Sequence, residues 1–289
     1  MMLRKIIDSP FWTSLFLFFG TLPSRMFFQS KILYHWDSVN FAYAIQEFNV
    51  LKEQPQPPGY IIYVFLIRQL NFLFQDAQKT MVLLSVFVSA VSVVGLFLFV
   101  RKLFDQEMGI FAALFWASSP LFWFYGEIAL PHTLDALLIV LVVWFFYEVM
   151  QGDNRYLFPG IIMLAIAGGV RQQTLVFLLP MALFSMRKLT IRNIFLAGLV
   201  GVVVCLLWFI PLINSAGGLQ PYLEKLSEFS ARFQTTTSVF AGAGWSGVKR
   251  NLLKLSIYSI YGWGAAILLM TIPAFYTKRF ANFDWKKSL

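Results

Sequence analysis

Thr80–Val100 reads TMVLLSVFVSAVSVVGLFLFV, 21 residues without a charge. A helix of that length suits a hydrocarbon core of about 30 Å. The rest of the chain agrees with a membrane-spanning reading. Of its 289 residues 58% are hydrophobic and 18% aromatic, only 13% are charged, and mean hydropathy is +0.69. Soluble domains carry about 25% charged residues. The composition excludes an ordinary soluble enzyme, a disordered chain and a disulfide scaffold, and it predicts an all-α polytopic membrane protein. The single cysteine, Cys205, sits in an apolar run and has no internal partner. Cysteine and histidine do not cluster, so neither a metal–thiolate site nor a cofactor is expected, and divalent-metal dependence stays open.

Working outward, further spanning runs are predicted at 108–125, 129–147, 194–213 and 252–276. Residues 9–28 form a weaker first span containing Pro23 and Arg25. A cleaved signal peptide is the alternative there, but no small-x-small site follows the apolar stretch. Residues 156–186 are apolar but broken by Arg171-Gln172-Gln173, which predicts two short spans joined by a tight, recessed turn. Tyr60–Phe74 reaches only about 22 Å as a helix, and Arg68, Asn71 and Gln75 give it one polar stripe. That pattern suits a helix lying in the membrane interface.

Basic residues settle the orientation. With 60–74 not spanning, the inner connections hold Arg101, Lys102, Arg155, Arg187, Lys188, Arg192, Lys278, Arg279, Lys286 and Lys287, and the short outer turns hold only Arg171. If 60–74 spanned, this bias would invert. The positive-inside rule therefore predicts about eight spans with the N-terminus inside, in the plasma membrane. It also accounts for the net charge of +9 without nucleic acid, because the basic residues cluster at the ends of apolar runs and form no stripe. The chain reads as a single transmembrane domain, 1–289, with two long outer loops at about 29–79 and 214–250.

Those outer loops carry the candidate chemistry. The first begins Tyr34-His35-Trp36-Asp37-Ser38, and Phe41, Ile45 and Phe48 follow at helical spacing, so juxtamembrane helices are expected there. Asp37 or Ser38 would cap this helix, and Asp37 is also a carboxylate able to take a proton. Pro55-Gln56-Pro57-Pro58-Gly59 makes a stiff turn ahead of the 60–74 helix. On the same side lie Glu127, His132 and Asp135. Thr133 is a candidate cap, and Asp135 suits the first turn of a helix. Glu127 reads equally as a binding carboxylate or a solvated end, and His132 as a packing residue or a ligand. Arg171 between apolar segments is either functional or snorkels to the interface. The second outer loop offers Tyr222, Leu226, Phe229 and Phe233 on one helix face, then Gly242-Ala243-Gly244-Trp245-Ser246-Gly247, which looks mobile. No nucleotide-binding or zinc-protease motif occurs, and no internal repeat supports an inverted-repeat transporter.

The succession HWDSVNFAYAI, QPQPPGY, a span ending RKLF, SSPLFWFYGEIALPHTLDALL and GGVRQQTLVFLLP resembles the GT-C superfamily of polytopic glycosyltransferases. It is most similar to bacterial relatives of protein O-mannosyltransferases and lipid A aminoarabinose transferases, over roughly residues 10–190. The resemblance implies an enzyme that transfers a sugar from a polyprenyl-phosphate donor to an acceptor on the extracytoplasmic side. It implies that Asp37 is the catalytic base, that Pro57-Pro58 lies beside the site and that Arg171 binds the donor phosphate; Glu127, His132 and His35 are added as candidate substrate-binding residues from their place in the outer segments. Many relatives carry Asp-Glu where this chain has Asp37-Ser38, and Glu127 is a candidate replacement for the missing carboxylate. The resemblance further implies that the chain lacks the C-terminal part of a full-length member. Donor sugar and acceptor are not readable. The alternatives are a lipid or glycolipid transporter subunit and a non-catalytic membrane assembly factor.

The orientation is testable in a Cys205→Ala background. Single cysteines at Ser38, Ser215 and Ser246 are expected to react with an impermeant thiol reagent added outside, and cysteines at Asp105 and Thr190 are not. Labelling of the Asp105 position from outside would mean that 60–74 spans.

Overall fold

The computed structural model describes residues 9–238 and 242–263, without the side chains of Phe233, Thr235, Thr236 and Thr237. Among these residues the chain forms twelve α-helices. In order they are α1 (Pro10–Phe28), α2 (Trp36–Gln46), α3 (Ile61–Phe74), α4 (Ala77–Leu103), α5 (Gln106–Ser118), α6 (Pro120–Tyr125), α7 (His132–Met150), α8 (Leu157–Val170), α9 (Gln172–Ser185), α10 (Ile191–Ser215), α11 (Leu219–Thr237) and α12 (Gly244–Trp263).

The 80–100 run lies inside α4, which packs against α1, α3, α5 and α7. Such an all-round apolar helix needs neighbours or lipid on every side. Asp76 caps it by accepting from the Lys79 N–H at 2.9 Å, and Asp105 caps α5 in the same way through Met108. Each such cap contributes about 1 kcal/mol. The α4–α5 hairpin closes on Gly109, where a Cβ would stand 2.8 Å from the Phe97 carbonyl oxygen.

The first helix has its polarity turned inward. Thr13, Leu17, Thr21 and Arg25 are buried along one stripe, while Phe16 and Phe27 are 70% and 82% exposed. In water that arrangement would be unfavourable. In a bilayer the phenylalanines meet lipid, and the polar groups find partners within the bundle.

Among the described residues three helices are long and apolar enough to cross a membrane: Ala77–Leu103, His132–Met150 and Ile191–Ser215. The eight-span expectation is therefore met only in part. The predicted 108–125 span is broken at Ser119, because the residue before Pro120 is steered out of the α region, and α5 and α6 are separate helices. α8 and α9 have 14 residues each, about 21 Å, and meet at Arg171 alone. The predicted 252–276 span lies largely outside the described residues. The Gly242–Gly247 segment, expected to be mobile, is helical from Gly244 onward.

The 60–74 segment is a short helix, as read, and two residues of its polar stripe bind within the protein. Arg68 donates twice to the Ala44 carbonyl of α2, at 3.1 and 2.8 Å, and Asn71 accepts from Thr80 of α4 at 2.9 Å. On the same side of the helix Tyr63, Val64 and Ile67 are buried with Phe41, Met81, Leu130 and Val170 in the largest apolar cluster. α3 thus docks the first loop on the bundle.

Candidate functional site

The site begins at the start of α2. His35, and neither Asp37 nor Ser38, is the N-cap, because the helix begins at Trp36, two or three residues earlier than the sequence suggests. Its Nδ1 accepts the Asp37 N–H at 3.1 Å. Asp37 is thereby released from capping. Its half-exposed carboxylate stands 3.7 Å from His35 Nδ1. Burial raises its pKa above the usual carboxylate value, and the neighbouring His35 partly offsets this.

The proline stretch ends in two left-handed residues, Gly59 (φ 114°) and Tyr60 (φ 44°). A Cβ at Gly59 would lie 2.5 Å from Leu212 Cδ1, so the turn admits only glycine. Left-handed backbone is unusual for a bulky residue such as Tyr60 and is sustained by its surroundings. Its ring packs edge-on against Phe41, 5.2 Å between centroids. Burial raises its pKa, and its hydroxyl lies in the field of Arg171, Asp37 and Asp135 together. The Pro58 carbonyl accepts from Gln172 Nε2 at 3.2 Å and from the Tyr222 hydroxyl at 3.1 Å. It ties the turn to α9 and α11.

The α6–α7 turn supplies the next group. α7 starts at His132 with Pro131 as N-cap, and Thr133 makes no cap bond; its hydroxyl is buried. The fixed φ of proline, here −74°, sets the helix geometry ahead of Thr133. The rings of Tyr125 and His132 stack 4.2 Å apart, 3° from parallel. Asp135, one turn into α7, is 5% exposed. Its Oδ2 meets Arg171 Nη1 at 3.3 Å, and its Oδ1 accepts from the Thr174 hydroxyl at 2.5 Å. Arg171 is thus paired, with its side chain 36% exposed. It is the single residue between α8 and α9, and its guanidinium is anchored to α7. His132 is within electrostatic reach of Arg171 and His35, and Tyr125 of Arg171.

His35, Asp37, His132 and Arg171 therefore gather with Asp135, Tyr60 and Tyr125, and the sequence reading had not placed those two tyrosines in the site. Glu127 goes elsewhere. Its charged neighbour is Arg25 of α1, and Trp123 donates a hydrogen bond to it; burial raises its pKa. Arg25 is 1% exposed, donates to the Ala117 carbonyl at 2.5 Å and lies 4.0 Å over the Trp123 ring. This pairing had no sequence signal beyond an arginine inside a predicted span. Among the described residues no group of three His, Cys, Asp or Glu side chains is arranged to hold a metal.

The sequence pattern described as dolichyl-phosphate-mannose-protein mannosyltransferase matches residues 56–214. The chain belongs to that family. The matched stretch holds Pro58, Tyr60, Glu127, His132, Asp135 and Arg171, and α2 with His35 and Asp37 precedes it. No curated protein and no solved structure matches the chain. Membership of the mannosyltransferase family makes it a multi-pass membrane glycosyltransferase that draws on a lipid-linked sugar.

The Asp135–Arg171 contact can be measured in this mannosyltransferase-family chain as a coupling. Asp135→Ala, Arg171→Ala and the double variant, unfolded reversibly in mixed micelles, are expected to give an interaction energy of about 1–3 kcal/mol. Additive single effects would show that the two side chains do not support one another.

Proposed function

We propose that the protein transfers a sugar, mannose by family membership, from a polyprenyl phosphate to an acceptor hydroxyl on the extracytoplasmic side. The observation that carries this reading is the gathering of Asp37 with Tyr60, Asp135 and Arg171 at the ends of α2, α3, α7 and α8. Transfer needs a base for the acceptor hydroxyl and positive charge for the leaving phosphate. Asp37 takes the hydroxyl proton as the acceptor oxygen bonds to the anomeric carbon. The bond from that carbon to the phosphate oxygen breaks, and the polyprenyl phosphate leaves with the electron pair. One displacement inverts the anomeric configuration, so a single base suffices.

Arg171 is the group we assign to the phosphate. Pairing with Asp135 engages Nη1 and fixes the plane of the guanidinium. A planar fork held in place loses little freedom on binding phosphate oxygens. His132 and His35 flank the same region, where the stacked Tyr125 orients the His132 ring. Glu127, held beside Arg25, acts through the α6–α7 turn in this scheme and does not take the place of a second carboxylate beside Asp37.

Asp37→Asn tests the base. The substitution keeps the side chain's size and leaves the helix cap untouched, because His35 supplies it. Transfer of sugar from a polyprenyl-phosphate donor is expected to fall by at least about 10²-fold with expression unchanged. The wild-type rate should also fall as pH drops through the raised Asp37 pKa, since the carboxylate works only when deprotonated. Full activity of the Asn variant would remove Asp37 from the chemistry.

A further inference from the structure

A second recess opens beside this charged group. Between α9, α11 and the Pro57–Pro58 turn lies a cleft of about 680 Å³. Its inner wall is formed by Pro58 and Gln172, which adjoin Gly59-Tyr60 and Arg171 in the chain. Its outer rim is Val176 and Phe177 of α9, which are 66% and 80% exposed. Leu179, Leu183 and Phe184 continue that open apolar side along α9, so the rim faces lipid.

The lining is uncharged. Gln173, Ser230 and Gln234 supply carboxamide and hydroxyl groups, and Leu226 and Phe229 supply apolar surface. The nearest acidic and basic groups, Glu53 ahead of the proline turn and Lys225, Glu228 and Arg232 of α11, are engaged with one another. Glu53 takes Lys225 at 3.1 Å and Arg232 at 2.8 Å, and Glu228 takes the same two cations at 3.3 and 2.8 Å. A phosphate or an acidic peptide would enter this cleft without a cation to meet it, and that cost is high away from water. Carboxamides and hydroxyls both donate and accept, as sugar hydroxyls do.

We propose that the cleft binds a neutral, hydroxyl-rich amphiphile, a sugar or polyol on an alkyl or isoprenoid tail, and that this molecule is the acceptor. The polar head sits at Gln173, Ser230 and Gln234, close to the turn that carries Arg171, and the tail leaves past Val176 and Phe177 into the bilayer. The acceptor role rests on the transfer reaction proposed above; the binding does not.

The test uses the full chain in phosphatidylcholine nanodiscs with three photo-crosslinking probes of equal chain length: a hexadecyl glucoside, a hexadecyl phosphate and a phosphatidylcholine. The glucoside is expected to label peptides of α9 and α11 about five-fold more than either other probe, the size of one neutral hydrogen bond. Val176→Trp, which fills the rim from an exposed position, and Gln173→Leu, which removes one exposed carboxamide, should each lower that labelling by about the same factor. Their melting temperatures should match the wild type. Equal labelling by all three probes would mean ordinary surrounding lipid and would overturn the proposal. Glucoside labelling unchanged in both variants would overturn it too. Full activity of Asp37→Asn would overturn the transfer reading alone, because crosslinking requires no chemistry.

Discussion

A buried carboxylate holding a guanidinium is the constraint on which the site depends. Asp135 is 5% exposed in the first turn of α7, a position that only a partner makes tolerable. Arg171 is that partner, and Thr174 completes the second carboxylate oxygen. The α8–α9 break is thereby fixed to α7, and the Arg171 guanidinium is held in place. Because the break is one residue wide, fixing Arg171 also fixes Gln172. Gln172 then binds the Pro58 carbonyl and the Tyr222 hydroxyl, so the proline turn and α11 share the same anchor. From the proline turn the chain passes through Gly59 and Tyr60 into α3, whose Arg68 secures α2 through the Ala44 carbonyl. Asp37 at the head of α2 is thus connected to Arg171 by a short chain of hydrogen bonds and packed rings.

This arrangement separates two kinds of charge. Arg25 and Glu127 brace the α6–α7 turn from behind, with Gly126 between them leaving room for the guanidinium; a Cβ there would meet Arg25 Nε at 3.1 Å. The Ser30 N–H reaches the Glu127 carbonyl at 2.8 Å and joins the first loop to that turn. Asp37, His132 and Arg171 form the other group, linked through Tyr60 and Tyr125. Structural ion pairs and candidate chemical groups occupy neighbouring elements, and their residue types alone do not tell them apart.

Much of the framework was legible because it depends on local rules. An uncharged 21-residue run makes α4, the Arg171 dip breaks α8 from α9, and the spacing of Phe41 starts a helix near Asp37. The short 60–74 helix followed from its length. What escaped depends on contacts between distant residues. Nothing local shows that His35 caps α2, that Tyr60 turns left-handed, or that Glu127 faces Arg25 across about a hundred residues of chain. The count of eight spans came from hydropathy and charge, which do not register that Pro120 divides one apolar run in two. That the Pro58 carbonyl carries two bonds within the protein was likewise not legible.

The central claim is that an arginine held by Asp135 offers its remaining donors to a lipid phosphate. Electron cryo-microscopy of the full chain in nanodiscs with polyprenyl phosphate tests it most directly. The account predicts phosphate density within hydrogen-bond distance of Arg171, with the Asp135 contact intact and the Asp37 carboxylate facing the same space. Phosphate seated at Arg25, or bound with the Arg171–Asp135 pair at a distance, would contradict it.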